Sequence, residues 1–381
     1  MKKNFLITTG GSGGHVVPAT ILYDHLSKET NVIISSDKRG LRYLDKNFYK
    51  IEIIDMPKLN NVFFLPINLV LILFFTLKSF FILKNKKIEK VFSTGGYMSL
   101  PVILAAILLR LKIYLIEPNQ VIGRANKFFL NFSKKIFCYT KQIKNFPDIF
   151  RSKIININPL VKKHIYDLKL SSTMNSKFTL LIVGWSQGAN IFDKNLKNFI
   201  VNISKKTPIK IIQQTNLENI LTLKNFYSKN NVENKIFSFD KNFSETILEA
   251  DLCITRGGAS TLAELSILNI PFIVVPLPTS KDNHQFENAS FYKENDCCWI
   301  IEQYRFDEDI EKTIKDILND KSVFLKKKKN LKRLNYQNTW INVNQKILDV
   351  INENWFSKNR GYSFHWNRWN WYERSIFNYE R

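Results

Sequence analysis

A glycine-rich loop follows the short apolar run Asn4–Thr8 near the start of the chain. It has the sequence Thr9-Gly10-Gly11-Ser12-Gly13-Gly14-His15 and precedes a helical pattern. Glycines let the backbone approach a ligand closely, and the N-terminus of the next helix offers free N–H groups and a positive dipole end to an anion. The loop therefore predicts a phosphate site, and His15 ends it at the carboxyl edge of the sheet, where ligands of open α/β sheets bind.

Two further glycine loops follow later predicted strands. One contains Gly95-Gly96-Tyr97, and the other is Gly184-Trp185-Ser186-Gln187-Gly188. The first loop of the chain does not match the dinucleotide pattern G-x-G-x-x-G, because the sixth residue counted from Gly11 is Val16, so nicotinamide chemistry is disfavoured. Three such loops divided between two halves indicate two Rossmann-like domains with phosphate loops along a cleft. This is the GT-B architecture of nucleotide-sugar transferases.

A fourth motif runs from a predicted strand through the turn Arg256-Gly257-Gly258 into a helix. The start of that helix, Ala259–Thr261, can hold a diphosphate through its free amides. Glu264 lies within the same helix, where its carboxylate can accept both hydroxyls of a ribose. Downstream, the segment 281–289 supplies amide and other polar side chains suited to sugar hydroxyls.

Alternating short apolar runs and helical segments predict an α/β protein with doubly wound parallel sheets. The strands expected in the first half are Asn4–Thr8, Asn31–Ser35, Lys90–Ser93, Lys112–Glu117 and Lys135–Tyr139. Those expected in the second half are Thr179–Val183, Ile209–Gln213, Lys235–Phe239, Leu252–Thr255 and Phe272–Val275. The helices expected between strands of the first half include Ala19–Leu26 and Pro101–Leu111.

Four regions follow from this pattern. We expect Rossmann-like domains over residues 1–159 and 160–338, facing each other across a cleft. Residues 339–354 predict a helix that returns to the first domain. Residues 355–381 combine tryptophan with arginine, which suits a membrane interface, a nucleic-acid stacking surface or a lineage-specific extension.

The most hydrophobic segment covers residues 62–83 and is long enough to span a bilayer. Polar or helix-breaking residues interrupt it at Pro66, Asn68, Lys78 and Ser79. Lysines follow it at Lys84, Lys86 and Lys87. Apolar residues edged by lysines favour a helix that lies on a membrane interface. A core helix and a transmembrane span stay open as alternatives.

The chain has 56 Lys and Arg residues against 33 Asp and Glu, a net charge of +23. Such a charge suits an anionic membrane surface or acidic small substrates. Nucleic acid is disfavoured, because no helix-turn-helix, zinc-finger or aromatic RNA-binding signature accompanies the lysine-rich segment 326–333. The four cysteines lack the paired C-x-x-C spacing of a zinc site and are too few for a disulfide scaffold.

Over residues 1–350 these motifs, in this order, resemble the peptidoglycan N-acetylglucosaminyltransferases of glycosyltransferase family 28. The resemblance implies inverting transfer of GlcNAc from UDP-GlcNAc to the C4 hydroxyl of undecaprenyl-pyrophosphoryl-MurNAc-pentapeptide (lipid I), giving lipid II. It places the protein on the cytoplasmic face of the bacterial inner membrane as a peripheral protein, serving cell-wall growth, cell shape and division. The first domain would then hold the acceptor and contact the anionic membrane, and the second would bind the donor. No metal or other cofactor is implied.

The resemblance also implies roles for individual residues. The general base is His15, with Glu117 as the rival candidate. The acceptor diphosphate is bordered by Gly95, Gly96 and Tyr97. The donor is bound by Ser12, Gly13, Gly14, Asn119, Ser186, Asp240, Arg256, Ala259, Ser260, Thr261, Leu262, Ala263, Glu264 and Gln285.

Several positions depart from the family pattern. Ile116-Glu117-Pro118-Asn119 stands where the family has His-Glu-Gln-Asn, and Val161 replaces an arginine that binds donor, with Lys162 one position later as a possible substitute. Trp185 replaces a glycine, and His284 replaces the first of two glutamines. Two alternatives therefore stay open: a GT-B glycolipid transferase with another acceptor, and a catalytically silent homologue that binds membrane.

Overall fold

The computed structural model describes residues 2–56, 65–168, 177–184, 189–240 and 243–352. Trp185, Ser186 and the tail 355–381, to which the sequence assigns possible roles, lie outside these ranges. The chain forms two compact units, residues 1–338 and residues 339–381. Both sheets belong to the first unit.

A seven-stranded parallel sheet forms the first half. Its strands are β1 (Asn4–Thr8), β2 (Asn31–Ser36), β3 (Ile51–Ile53), β4 (Ile88–Ser93), β5 (Lys112–Glu117), β6 (Lys135–Cys138) and β7 (Ile154–Asn156). Their order across the sheet is β3-β2-β1-β4-β5-β6-β7, and all pairs are parallel. The accompanying helices are α1 (Gly13–Leu26), α2 (Leu65–Asn85), α3 (Leu100–Leu108) and α4 (Arg124–Phe129), and α5 (Lys163–Asp167) leads to the second half.

The second half repeats the arrangement with six parallel strands. They are β8 (Phe178–Val183), β9 (Ile209–Gln214), β10 (Glu233–Phe237), β11 (Leu252–Thr255), β12 (Phe272–Val274) and β13 (Cys298–Ile300), in the order β10-β9-β8-β11-β12-β13. The helices are α6 (Ala189–Asn195), α7 (Lys197–Ser204), α8 (Ile220–Lys229), α9 (Phe243–Leu248), α10 (Ala259–Ile267), α11 (His284–Glu294), α12 (Phe306–Asn319) and α13 (Lys321–Leu334). These two doubly wound sheets confirm the predicted GT-B class.

The second compact unit contains α14 (Trp340–Ile351). Its N-cap is Thr339, whose hydroxyl oxygen accepts a hydrogen bond from the N–H of Asn342 at 3.2 Å. A helix was expected over residues 339–354, and α14 lies within that range, of which residues 353–354 are outside the described ones. Its return to the first domain stays a prediction.

All the strands predicted from the sequence are present, with bounds that agree to within two residues. Three further strands, β3, β7 and β13, were not predicted. Each is three residues long and lies at or next to the edge of its sheet, where side chains are only partly buried. The apolar signal is weak there because an edge strand is not covered on all sides.

Helix α1 begins six residues earlier than expected, at Gly13 instead of Ala19. Two glycines and Pro18 lie in its first turns, and these residues have low helix propensity. Tertiary packing overrides that propensity, because Val16, Pro18 and Ala19 are all buried. The early start matters for function, since it brings the helix N-terminus into the first glycine loop.

Helix α2 has one exposed apolar face. Over Ile67–Asn85 it is long and apolar enough to cross a membrane, with a mean hydropathy of 2.0 and 17% of the window buried. The exposed apolar side chains are Ile67, Leu69, Val70, Leu73, Phe74, Leu77 and Phe81. The opposite face packs on the domain through Thr76, Ser79 and Leu83, all buried, and Phe75 and Phe80 also pack towards the core. Only one face of the helix is therefore free.

A row of aromatic rings crosses the centre of the first sheet. Phe5 on β1, Phe92 on β4, Tyr114 on β5 and Phe137 on β6 are fully buried. Successive ring centroids are 5.8, 5.2 and 6.4 Å apart, and Phe92 stacks on Tyr114 at 18° between planes. Rings at these distances fill the space above neighbouring strands and contribute packing beyond their buried area.

We predict that Phe92→Ala lowers the free energy of unfolding of the first domain by about 3–5 kcal/mol, because it leaves a cavity between Phe5 and Tyr114. Urea unfolding followed by circular dichroism measures the change. The exposed control Ile149→Ala, whose parent side chain is 81% exposed, should alter stability by no more than about 0.5 kcal/mol. Equal unfolding midpoints for the two variants would contradict the assignment.

Candidate active site

The strand order reverses once in each sheet, between β1 and β4 and between β8 and β11. In open α/β sheets the loops at the carboxyl ends of such strands diverge and leave a crevice that binds ligands. The predicted loops follow these strands: two lie after β1 and β4, and the motif that begins at Arg256 follows β11. The loop after β8, with Trp185 and Ser186, lies outside the described residues.

The first loop is held so that its amides stay available. Gly11 has a φ of 77°, in the left-handed region that favours glycine, and a Cβ there would lie 2.7 Å from Cε of the flexible Met98 side chain. The N–H of Gly11 donates to Oδ1 of Asp37 at 2.7 Å. The N–H groups of Gly13 and Gly14, the first two residues of α1, have no acceptor among the described residues. They are free to bind an anion.

Asp37 lies in no recognisable motif, yet it organises this loop. Its fully buried carboxylate accepts the N–H groups of Gly11 and Gly40 and, at 2.7 Å, Nε–H of Arg39. Nη2 of Arg39 pairs with the same carboxylate and donates to Oη of Tyr97. Burial acts to lower the pKa of Arg39, but the hydrogen bond and charge of Asp37 raise it above its ordinary value. An acidic residue directly after the second buried strand is the only sequence signal for this group.

The second loop touches the first. Gly95 and Gly96 have φ angles of 87° and 85°. Glycine adopts such angles without strain, whereas residues with a side chain rarely do. A Cβ on Gly96 would lie 2.4 Å from Sδ of Met98 and 3.6 Å from Cδ2 of His15. The predicted acceptor loop and the predicted base are thus neighbours.

His15 has a defined tautomer. Its Nδ1 lies 2.8 Å from the carbonyl oxygen of Thr94, and a carbonyl oxygen can only accept, so in the neutral ring Nδ1 carries the hydrogen. Nε2 is then the unprotonated nitrogen, and it has no partner among the described residues. This is the form that a general base requires.

Glu117, the rival candidate, is 2% exposed and fully engaged. Its carboxylate accepts the backbone N–H and Nδ2 of Asn119 at 3.2 and 2.9 Å, the N–H of Gly123 at 2.8 Å and Nδ2 of Asn126 at 3.0 Å. Each carboxylate oxygen accepts two of these four N–H donors. They also hold the loop that carries Asn119.

On the second sheet, the predicted donor residues Ala259, Ser260, Thr261, Leu262, Ala263 and Glu264 all lie on α10. Arg256 precedes that helix and is 6% exposed. Its Nη1 donates to the carbonyl oxygen of Val275 at 3.0 Å, its Nε has no partner in the described part of the chain, and burial lowers its pKa to about 10. A buried guanidinium without a described counter-ion favours an anion at the start of α10.

Glu264 is half-buried, and its side chain makes no hydrogen bond or ion pair within the described residues. Burial raises its pKa to about 7, and the charge of Lys162 acts in the opposite direction. Lys162 therefore lies near the donor motif, as a substitute for the missing family arginine would. The other predicted donor residue, Asp240, accepts a hydrogen bond from Oγ1 of Thr246 at 2.5 Å and directly precedes two residues outside the described ranges.

Gln285 and Asn288 on α11 connect the donor motif to its surroundings. Oε1 of Gln285 accepts the N–H groups of Gly257 and Leu277 at 3.2 and 3.0 Å, which leaves its side-chain NH2 group to donate. Nδ2 of Asn288 donates to the carbonyl oxygen of Gly257 at 2.9 Å and to Oδ1 of Asn119 at 3.1 Å.

The same Asn288 side chain accepts the N–H of Gln120 at 2.9 Å, so one buried amide joins loops from both sheets. The rim adds two ion pairs between the halves: Arg124 with Asp282 at 3.0 Å, and Lys144 with Glu287 at 2.5 Å. The sequence analysis gave Asn288 no role of its own. Its partners in the first half, Asn119 and Gln120, lie about 170 residues away in the chain.

No group of three His, Cys, Asp or Glu side chains in the described ranges could hold a metal ion. The four cysteines, Cys138, Cys253, Cys297 and Cys298, are buried and free. The described site presents backbone amides, one imidazole, carboxylates and guanidinium groups.

Models of the glycosyltransferase family 28 N-terminal and C-terminal domains match residues 5–138 and 179–339. A crystal structure of Acinetobacter baumannii MurG shares the fold, with a TM-score of 0.73 and 24% identity, and covers 92% of this chain and 99% of that one. A UDP-GlcNAc 2-epimerase from Neisseria meningitidis bound to UDP-GlcNAc also shares it, at a TM-score of 0.66 and 14% identity over 92% of this chain and 100% of that one. The fold and the loops at its switch points are those of a two-domain glycosyltransferase, and the chain belongs to family 28.

Curated relatives narrow the assignment. A UDP-N-acetylglucosamine–N-acetylmuramyl-(pentapeptide) pyrophosphoryl-undecaprenol N-acetylglucosamine transferase from Pelagibacter ubique (strain HTCC1062) is 45% identical over 357 residues, covering 93% of this chain and all of that one. The enzyme of the same name from Rickettsia felis is 33% identical and covers 86% of this chain and 94% of its own length. Within family 28, the chain belongs to the MurG transferases.

We predict that Gly257→Ala disrupts the donor motif, because its Cβ would lie 2.1 Å from the carbonyl oxygen of Gln285. Backbone must move to relieve such a contact, so the variant should lose at least about 2 kcal/mol of stability. Gly258→Ala is the matched control, since its Cβ would meet nothing closer than 3.9 Å, and it should lose less than about 1 kcal/mol. Thermal unfolding of the two variants compares them; equal midpoints would contradict the close approach.

Proposed function

We propose that the chain transfers GlcNAc from UDP-GlcNAc to the C4 hydroxyl of lipid I, giving lipid II, at the cytoplasmic face of the inner membrane. The observation that carries this proposal is His15. In the neutral ring Nδ1 donates to the carbonyl oxygen of Thr94 and leaves Nε2 to accept a proton, and the ring lies next to Gly96 of the second loop. A base at this position would face an acceptor bound in the first domain. The α10 motif has the groups that can bind the ribose and the phosphates of the donor.

The mechanism is a direct displacement. The acceptor oxygen attacks the anomeric carbon and forms the new glycosidic bond, while its proton moves to Nε2 of His15. The bond between the anomeric carbon and UDP breaks, and UDP leaves with the electron pair, so the anomeric configuration inverts. The amides at the start of α10 and the guanidinium of Arg256 stabilise the negative charge on the departing diphosphate.

His15 is preferred to Glu117 as the base for a geometric reason. Both oxygens of Glu117 are already bound by four N–H donors, and taking a proton would break at least one of these bonds. Glu117 instead holds Asn119 in place. Asn119 would then border the cleft, and its Oδ1 accepts a hydrogen bond from Asn288.

We expect His15→Ala to lower kcat for lipid I by about 10²- to 10⁴-fold, because the proton of the C4 hydroxyl loses its acceptor. Affinity for UDP-GlcNAc should change by less than about twofold. Purified protein, UDP-GlcNAc and a lipid I analogue, with lipid II measured by chromatography, provide the assay. A wild-type protein that binds donor but turns over no acceptor would be the silent homologue, and turnover restricted to a different glycolipid would support the other alternative.

The raised pKa of Glu264 gives the donor site a pH dependence. Below pH 7 the free protein holds Glu264 protonated, and only the carboxylate can accept both ribose hydroxyls as charge-assisted bonds. UDP-GlcNAc should therefore bind about tenfold more weakly at pH 6 than at pH 8. UDP-GlcNAc is the right ligand because its diphosphate diester does not titrate in this range.

Calorimetry at several pH values tests this expectation. Glu264→Gln should bind UDP-GlcNAc more weakly at pH 8, by about 1.5–3 kcal/mol, and should lose the pH dependence between pH 6 and 8. A variant that keeps the wild-type pH profile would remove Glu264 from the ribose site.

The exposed face of α2 supports contact with the membrane surface. Phe74 and Phe81 are 60% and 58% exposed, and exposed lysines flank the helix at Lys78, Lys84, Lys86 and Lys87. Because the opposite face packs on the domain, the helix would lie on the membrane and not cross it. A lipid-linked acceptor could then enter the cleft from the same surface.

We expect Phe74→Ser/Phe81→Ser to reduce binding to vesicles that contain phosphatidylglycerol and to lower turnover of long-chain lipid I. Turnover of a short-chain soluble acceptor should stay unchanged, because the cleft is untouched. Tyr304→Ser/Tyr336→Ser, which removes two exposed aromatic residues of the second half, is the matched control. Vesicle sedimentation measures binding, and equal binding by both double variants would refute the membrane face.

A further inference from the structure

We propose that Arg39 binds the pyrophosphate of the acceptor between the two glycine loops of the first sheet. The inference rests on the proposed function, since it takes a lipid-linked pyrophosphate as the acceptor. Arg39 lies after β2, in a segment without a glycine loop, and none of the sequence motifs includes it.

The position of the guanidinium is the first argument. Nη2 of Arg39 lies 4.0 Å from where a Cβ of Gly11 would be, and it donates to Oη of Tyr97 beyond the second loop. The same group stacks over the Tyr97 ring at 5.3 Å from the centroid. Arg39 thus contacts Tyr97, next to Gly96 of the second loop, and lies beside the first loop, while Met98 lies close to both Gly11 and Gly96.

The remaining hydrogen-bonding capacity is the second argument. Nε and Nη2 bind Asp37 and Tyr97, whereas Nη1 has no partner within the described residues. The Arg39 side chain is 35% exposed, so Nη1 can reach a ligand. Two N–H groups on one nitrogen of a fixed guanidinium suit phosphate oxygens, which arginine binds with defined geometry.

The neighbouring charges and amides are the third argument. Asp37 fixes the guanidinium and, through Gly11, the first loop, so the cation and the loop amides keep a constant separation. The free N–H groups of Gly13 and Gly14 lie on the same loop. A pyrophosphate has more acceptor oxygens than two amides can satisfy, and Nη1 of Arg39 supplies two further charge-assisted N–H donors beside them.

A purely structural role for Arg39 would predict something different. Asp37 already accepts two backbone N–H groups, from Gly11 and Gly40, so the loop retains its anchor without the guanidinium. If Arg39 only supported the fold, its loss would affect all acceptors and the donor alike. If Arg39 binds pyrophosphate, its loss should lower kcat/KM more for an acceptor with two phosphates than for an acceptor with one.

The test compares Arg39→Gln with the wild type on two soluble acceptors that differ only in carrying a pyrophosphate or a single phosphate. We expect kcat/KM for the pyrophosphate acceptor to fall about 10- to 100-fold, the size of one lost charge-assisted contact. The loss on the monophosphate acceptor should be several-fold smaller. KM for UDP-GlcNAc should stay within about twofold, and Arg39→Lys should recover part of the loss.

Lys38→Gln is the matched control, because Lys38 is the adjacent cation, is 76% exposed and pairs with Asp55 outside the loops. It should leave every parameter near the wild-type value. Equal losses of Arg39→Gln on both acceptors, or a matching rise in donor KM, would overturn the proposal in favour of loop support. Unchanged kinetics would overturn it outright, whereas a wild-type protein that turns over neither acceptor would instead count against the proposed function.

Discussion

Two buried carboxylates control the first half of the active site. If a loop is to bind phosphate through its backbone N–H groups, those groups cannot also form the hydrogen bonds that fix the loop. Other residues must therefore hold the loop in place. Asp37 holds the first loop through the N–H of Gly11, and Glu117 holds the loop after β5 through Asn119 and Gly123. Both lie directly after or at the end of a buried strand, where the low dielectric strengthens each hydrogen bond.

Asn288 links the second half to the first at the candidate site. Asn288 binds Gly257 in the donor motif and Asn119 and Gln120 in the loop held by Glu117. A series of hydrogen bonds therefore runs from Glu117 through Asn119 and Asn288 to Gly257 and connects the loops of the two sheets. In a displacement reaction this connection matters, because the attacking oxygen and the anomeric carbon must be held close together.

The prediction of the fold succeeded wherever burial was complete. Central strands such as β5 and β11 have the expected bounds, because strands covered on both faces are continuous apolar runs. The predicted bounds of the edge strand β10 differ from the observed ones by two residues, and the short edge strands β3, β7 and β13 were not predicted. Their side chains are partly exposed, so the apolar pattern in the sequence is weaker there. The start of α1 was predicted six residues too late, because its glycines and proline have low intrinsic helix propensity that the burial of Val16, Pro18 and Ala19 overrides.

By itself, the sequence determined the elements whose chemistry is local: the strand, loop and helix units, the glycines at positive φ, and the placing of His15 and Glu264 on the units that present them. Tertiary structure alone decided how those units work. It gave His15 its tautomer through Thr94, engaged Glu117 in four hydrogen bonds, and joined Arg39 to Tyr97 and Asn288 to Asn119. Those hydrogen bonds connect residues mostly far apart in the chain, and their geometry depends on the order of strands in the sheet, which no local pattern encodes.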